Sequence, residues 1–327
     1  MGPNAKPNLH ARIVWCRKVI AMDDRILPER LYKYTSADTA CKILRTGRML
    51  WSSVLMFNDL HEGRVSHDEL KRNLAPLMHD KMHQLLSVSK RPRLVRYSPN
   101  MEAWVQCWRP KWRDPLTRAD AEAEIDGASE RLLARLELEE KRYSDLAEEC
   151  HRMSRVVCFS EISDNVKMWA HYSDDNRGVV LEFDPRRDEE LKTAEQIHYS
   201  EKPVSFADPE FMAAWLCGLR TDEQNNEQIS ARIDRIHVTK SLDWEHEREW
   251  RCITGGPAMA LRKECTDLIQ YSRQAMRRIV FGHRISTDDR DRILRLVEEK
   301  EMSHVEISEA APSTTGYGLE ITTSVRA

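Results

Sequence analysis

Apolar positions along the chain change period several times, and each change marks an element. Leu31-Tyr32-Lys33-Tyr34 predicts a first strand. Ser36-Ala37-Asp38 caps a helix over 39–45, which Gly47 ends. Met49-Leu50-Trp51-Ser52-Ser53 predicts a second strand. Phe57-Asn58-Asp59 predicts a turn, because Asn and Asp side chains bond their own backbone. From 66 to 90 the spacing of Leu70, Leu74, Leu77, Met78, Met82 and Leu85 is helical, with a break or kink expected at Pro76. Trp104, Trp108 and Trp112 recur at every fourth residue, with Pro110 between them. A long charged helical stretch follows over 117–155. Residues 156–161 then read as strand, 168–172 as a short helix and 178–184 as strand. Further strands are expected near 197–199 and over 248–254, 278–281, 304–307 and 319–323. Helices are expected at 208–219, 222–236 and 288–299.

Strands and helices do not alternate regularly, and neither a GxGxxG nor a Walker loop is present. That argues against a doubly wound dinucleotide fold and for α+β: a central mixed or antiparallel sheet with flanking helices and a long helical insertion. The expected layout is a leader over 1–27 and a single α+β domain over 28–327, with 66–155 as the insertion.

Composition narrows the class. The 327 residues are 41% hydrophobic and 32% charged, which suits a globular chain with a heavily charged surface. The net charge of −3 leaves no global basic field for non-specific nucleic-acid binding. Eight cysteines are spread widely without a CxxC pair, the pattern of reduced thiols rather than a disulfide framework or zinc ribbon. No apolar run approaches the ~20 residues of a membrane helix. A cytoplasmic protein without a membrane partner is expected.

Chemistry concentrates in two stretches. Cys158-Phe159-Ser160-Glu161, Met168-Trp169-Ala170-His171-Tyr172 and Gly178 to Asp184 crowd polar aromatics around a strand–helix–strand unit. In Trp244-Glu245-His246-Glu247-Arg248-Glu249-Trp250-Arg251, a strand starting near His246 puts Glu247, Glu249 and Arg251 on one face. Two readings of that face stand. It is either a solvated edge with ion pairs worth ~0–1 kcal/mol each, or a carboxylate held by arginine beside a second carboxylate that polarises a substrate. Lys33 between Tyr32 and Tyr34 is either an exposed residue flanked by half-buried rings or an anion contact with aromatic stacking. Asn58, Asp59 and Glu62 read first as a turn with a helix cap. His79 and His83 have zinc-ligand spacing but lack the glutamate of an HExxH motif.

Together these motifs, with Val280-Phe281-Gly282, make the chain resemble domain-of-unknown-function family 2971 over about residues 30–285. Leu60-His61 departs from the Pro-Phe that the family carries before the glutamate. The resemblance implies a part of a bacterial anti-phage or toxin-like system. More remotely, a first strand with aromatic and basic residues, a Ser-Ser strand and a late Glu-x-Glu strand resemble the order in ADP-ribosyltransferases. That resemblance implies Glu249 as the catalytic carboxylate with Glu247 as companion. It implies Ser52 or Ser53 in the nicotinamide-ribose pocket, and Tyr32, Tyr34 or Trp169 stacking on nicotinamide.

Three functions follow as expectations. The first is an NAD-dependent ADP-ribosyltransferase-like effector. Its catalytic set is Glu249, Glu247 and His171, and its binding set is Tyr32, Lys33, Tyr34, Ser52, Ser53, Trp169, Tyr172 and Arg251. It has no metal or permanently bound cofactor, NAD is the substrate, the target is a protein or nucleic acid, and an operon partner or antitoxin accompanies it. The second is a non-catalytic nucleotide- or protein-binding sensor using Lys33, Trp169, His171 and Arg251. The third is a metal-dependent nuclease using Asp59, Glu62, Glu161 and Glu247.

Overall fold

The computed structural model describes residues 26–59, 61–66, 68–87, 99–205, 207–255 and 265–323. The first 25 residues of the expected leader lie outside the described residues. In chain order the elements are β1 (Leu31–Thr35), α1 (Ala37–Thr46), β2 (Arg48–Ser52), β3 (Val65–Ser66), α2 (Asp68–Ser87), α3 (Pro99–Arg113), α4 (Arg118–Met153), β4 (Ser154–Ser160), α5 (Val166–Tyr172) and β5 (Val179–Phe183). There follow β6 (Glu195–Gln196), β7 (His198–Ser200), β8 (Val204–Ser205), α6 (Pro209–Leu216), α7 (Asp222–His237), β9 (Thr239–Ser241), β10 (Glu249–Gly255), β11 (Thr266–Gln270), β12 (Met276–Phe281), α8 (Thr287–Glu299), β13 (Glu306–Pro312) and β14 (Leu319–Thr323). The fold is α+β, a mixed sheet of many strands flanked by helices.

The described residues fall into two compact units. One takes Gly63–Cys150 with Lys202–His237, and so contains most of the stretch read as an insertion. Its core is helical. Leu70, Leu74, Met78 and Met82 of α2 are fully buried, as is Met212 of α6, and Ile229, Ile233 and Ile236 of α7 are buried as well. α2 continues through Pro76, where a break or kink was expected, and α3 continues through Pro110. Proline inside a helix costs ~3 kcal/mol. In α2 the buried residues on either side, Leu74 and Met78, supply packing that offsets it.

The second unit takes 26–62, 151–201 and 238–323, and holds a ten-stranded sheet. The main path runs β11-β2-β4-β1-β5-β12-β13-β14, and only β12 with β13 pairs in parallel along it. β10 pairs with β4 along its whole length, from Glu249↔Ser160 to Gly255↔Ser154. On its other side β4 meets β2 at Val156 and β1 at Ser160, so the sheet forks there. Side chains alternate between faces. Leu31, Trp51, Phe159, Leu181, Phe183, Trp250 and Phe281 enter the main core with residues of α1 and α8. Tyr34, Val180, Val280 and Ala310 form a smaller cluster with Met168 and Trp169 of α5.

Two local departures matter for the site. β10 begins at Glu249 rather than near His246. Residues Leu242–Glu247 form a 3₁₀ helix, and Arg248 ends it in the left-handed region at φ 44°. β11, which pairs residue for residue with β2, was not read from the sequence at all. Its Thr-Asp-Leu-Ile-Gln has neither sustained alternation nor a run of β-branched residues.

Candidate active site

The charged residues of β10 and of the turn before it gather partners from four other segments of the second unit. Glu249 is buried on the strand, and Arg251 two residues on shares its face. Arg251 Nε lies 2.7 Å from Glu249 Oε1, and Nη2 lies 3.0 Å from Oε2. This two-pronged contact is the strong form of an arginine–carboxylate pair. Lys240 of β9 donates to Glu249 Oε2 at 3.1 Å and to Glu247 Oε2 at 2.5 Å. Tyr172, at the end of α5, donates its phenol to Glu247 Oε1 at 2.7 Å. The backbone N–H of Glu249 donates to the Tyr199 hydroxyl at 2.8 Å. Glu62, from the segment after β2, lies 2.6 Å from Arg251 Nη1. The Phe57 ring lies 5.2 Å from the same guanidinium.

Local sequence explains the arrangement. The 3₁₀ helix brings Glu247 beside Glu249 although Arg248 interrupts the strand. Ser160 Oγ fixes this junction by donating to the Glu247 carbonyl at 2.7 Å, and the Glu161 N–H donates to the Arg248 carbonyl at 3.0 Å. Burial alone would neutralise these side chains. It pushes Glu249 up, but Arg251 and Lys240 outweigh it and hold the carboxyl at about 2. Burial pushes Lys240 down, and Glu249 and Glu247 more than reverse it, so the ammonium is held above its usual range. Tyr172 is raised by burial and by the Glu247 carboxylate, and therefore stays a phenol. Glu62 goes the other way. Its burial is only partly offset by Arg251, and its carboxyl is raised. Two cations thus face three carboxylates, and the weakest hold falls on Glu62.

The residues singled out in the sequence divide between this cluster and other places. Glu247, Glu249, Arg251 and Tyr172 come together. His171 is exposed beside Tyr172, with ring centroids 6.4 Å apart. Lys33 reaches the cluster only electrostatically. Its side chain lies on the apolar face at the fork, 5.5 Å from the Phe159 ring, and its Nζ donates to the Cys158 carbonyl at 3.3 Å. Burial lowers its pKa, opposed by Cys158 and Glu249.

The remaining binding residues lie elsewhere. Trp169 is fully buried with its indole N–H on the Ser163 carbonyl at 2.8 Å, and it packs edge-on against Tyr34. The Tyr34 hydroxyl donates to the Ile162 carbonyl at 2.9 Å. Both are packing residues, and neither offers a face for stacking. Tyr32 sits opposite Glu182, which Arg30 and Arg278 hold at 3.0 and 2.6 Å. Ser53 donates to the His151 carbonyl at 2.6 Å and caps the 3₁₀ turn Val54–Met56, while Ser52 sits in the strand ladder opposite Thr266.

Of the four carboxylates of the nuclease reading, Asp59 accepts from the His61 N–H at 2.9 Å through Oδ1, and the other three are claimed by a side-chain donor or cation. Glu161 accepts from the Trp250 indole at 3.1 Å, Glu62 faces Arg251 and Glu247 faces Lys240. Among the described residues no group of three or more His, Cys, Asp or Glu is placed to hold a metal ion. His79 pairs with Asp126, and His83 packs on Trp112. Sequence reasoning missed Lys240 and Tyr199. A single lysine in Thr-Lys-Ser and a tyrosine in a three-residue strand carry no local signal, because only the tertiary fold brings them to β10.

Residues 168–252 match the model of a family described as protein of unknown function, DUF2971. The matched stretch holds Tyr172, Tyr199, Lys240, Glu247, Glu249 and Arg251, while Glu62 and the first-strand motif lie outside it. No curated protein and no solved structure matches the chain. No helix among the described residues is long and apolar enough to cross a membrane.

Proposed function

We propose that the cluster around β10 is the active site of an enzyme that opens the N-glycosidic bond of NAD and delivers ADP-ribose to water or to a target. One observation carries this reading. Two buried carboxylates, Glu247 and Glu249, share one lysine, and a phenol sits on the outer one. Breaking the bond sends its electron pair to the nicotinamide nitrogen and leaves positive charge at the ribose C1. The incoming nucleophile forms the new bond there and gives up its proton. A preorganised carboxylate beside C1 lowers the barrier by about 2.7–4 kcal/mol.

Each residue has a distinct part. Both oxygens of Glu249 are engaged, so it is the fixed charge that keeps Lys240 and Arg251 in place. Glu247, beside half-buried Tyr172, is the carboxylate that faces ribose, the reverse of the order implied by the remote resemblance. Tyr172 is a positioning residue for it, and exposed His171 takes the nucleophile's proton at the rim. An enzyme of this kind acts in a cell as a toxin-like or anti-phage effector on a protein or nucleic-acid target, restrained by an operon partner or antitoxin.

A second reading, nucleotide binding without turnover, is favoured by the completeness of the Glu249 hydrogen bonding. Release of nicotinamide from NAD separates the two. Tyr172→Phe deletes one hydroxyl and should keep the thermal midpoint within a few degrees, while lowering kcat about tenfold to a hundredfold by releasing Glu247. NAD binding by calorimetry with no nicotinamide released by the folded wild type gives the site to the second reading.

A further inference from the structure

Glu182 is the odd residue of a central strand. β5 lies between β1 and β12, and its other residues, Val179, Val180, Leu181 and Phe183, are apolar and fully buried. A carboxylate there gives up its water, and an apolar residue of like size would serve stability as well or better. Two arginines hold it. Arg30 Nε donates to Oε1 at 3.0 Å and Arg278 Nε to Oε2 at 2.6 Å, so each arginine takes one oxygen. A bulge makes the second contact. Met276 enters the main core, and Arg278 two residues on would follow it. The register shifts between them and turns Arg278 to the opposite face, beside Glu182. Tyr32 stands on the other side of Glu182, within hydrogen-bonding reach of Arg278.

The two guanidiniums are fixed but not enclosed. Arg30 and Arg278 keep 30% and 23% of their side chains exposed, against 7% for Glu182. Among the described residues Arg30 Nη2 faces only the exposed Glu29 carboxylate, at 3.9 Å. Burial and the Glu182 charge raise the Tyr32 hydroxyl, which therefore keeps its proton. Two cations and a phenol thus share one buried carboxylate. The other acids nearby weigh less. Asp184 lies 4.0 Å from Arg30 and also faces Arg186 and Arg187. Glu306, opposite Arg278 on β13, is exposed and screened by water and salt.

We infer that Arg30, Arg278 and Tyr32, set in place by Glu182, form a phosphate-binding position on this face of the sheet, separate from the β10 cluster. Each guanidinium spends part of its fork on Glu182 and turns the rest to solvent, in the planar geometry that matches phosphate oxygens. The phenol adds a further donor. The phosphate of a mononucleotide and free phosphate share this chemistry. Ser160 faces Glu249 on one side and Tyr32 on the other, and Tyr32 faces Glu182. At ~4.8 Å per strand, Glu182 stands about 14 Å from Glu249 along that row, so an anion held there leaves Glu247 and Glu249 untouched.

Calorimetric titration of AMP, adenosine and inorganic phosphate into the full chain and its variants is the test. AMP should bind and adenosine should not. Arg278→Gln should weaken AMP binding at least about tenfold, and Arg278→Lys, which keeps a cation on Glu182 but loses the fork, about threefold or more. Tyr32→Phe deletes only a hydroxyl, should hold its thermal midpoint within a few degrees, and should weaken binding about threefold to tenfold. Arg292→Gln makes the same charge change on α8 and should alter affinity less than about twofold, as should Tyr172→Phe at the β10 cluster.

No binding of AMP or phosphate by the wild type overturns the inference, and so does adenosine binding as tightly as AMP. Equal affinities in wild type, Arg278→Gln and Tyr32→Phe overturn it as well. Weakening in Tyr172→Phe with Tyr32→Phe unchanged moves the anion to the β10 cluster and also overturns it. With the Arg278 and Tyr32 losses in place, AMP binding tighter than phosphate makes a nucleotide the occupant, and equal binding makes it free phosphate. None of these readouts uses NAD turnover. A folded chain that releases no nicotinamide therefore loses the proposed enzyme and keeps this position, and failure here leaves the enzyme standing.

Discussion

Glu249 is where the electrostatics of the second unit can be read as stability. Its carboxyl is held at about 2 in the folded chain against an ordinary 4.5. At ~1.4 kcal/mol per pH unit, that depression corresponds to about 3 kcal/mol. The sign follows from its direction. An acid whose folded pKa is depressed stabilises the fold above its unfolded pKa, and the contribution drains as pH falls toward the folded one. The window is therefore from about pH 4.5 down to about 2. Glu62 works with the opposite sign, since its raised carboxyl is relieved by protonation as pH falls. Glu249→Gln leaves Arg251 and Lys240 short of one charge, and at pH 7 should cost about 3–5 kcal/mol, the range for breaking a buried pair. Below pH 4.5 the unfolded chain takes up the proton while the folded carboxyl stays ionised, so the gap between the two proteins should narrow as pH falls toward about 2. Urea unfolding at pH 7, 4 and 3 measures it, and a gap that stays constant across that range removes Glu249 as the source.

At the level of elements, the strand–turn junctions depend on backbone approaches that the glycines permit. A Cβ on Gly178 would stand 2.2 Å from the Thr35 carbonyl, and one on Gly282 would stand 2.3 Å from the Asn176 carbonyl. The Gly282 N–H also donates to the Gly178 carbonyl at 3.0 Å, tying the start of β5 to the end of β12. Gly178→Ala should destabilise by about 1–3 kcal/mol, since backbone rather than a flexible side chain must yield. Gly316→Ala, where a Cβ meets nothing within 4 Å, should be neutral in the same urea titration. Loss of stability in both variants would show that the contact is not the cause. These junctions were legible in the sequence because Gly, Ser36 and the apolar alternation are local signals. α1 with its Ser36 cap and left-handed Gly47, β4, α5 and β5 fall where the pattern put them to within a few residues. The strand expected over 248–254 is β10 to within one residue, and the start near His246 fails because Leu242–Glu247 form a 3₁₀ helix, although Glu247 still reaches the cluster from it. Trp169 and Tyr34 looked like ligand platforms because a sequence cannot distinguish a buried aromatic with a satisfied polar tip from an exposed one.

Among the described residues the chain passes between its two units four times, at 62/63, 150/151, 201/202 and 237/238. Every residue of the cluster belongs to the second unit, yet Glu62, Tyr172, Lys240 and Glu249 reach it from three separate stretches of chain. This is why the pair Glu247 and Glu249 was visible in one octapeptide while its lysine was not. It also gives the two units different responses to acid. The depressed carboxylate sits in the second unit. Among the described groups of the first, the resolved shifts belong to the buried thiols of Cys150 and Cys217, raised to about 11 and about 12, which do not titrate below neutrality. Each unit has its own buried apolar core, and the two are expected to unfold separately. Scanning calorimetry from pH 7 to pH 3.5 should therefore resolve a transition that moves down with pH, and Glu249→Gln should shift that transition alone at pH 7. The other transition should stay where it is. A single transition at every pH, displaced as a whole by the substitution, would mean that the helical unit and the sheet unit unfold as one cooperative body and that the acid response is shared between them.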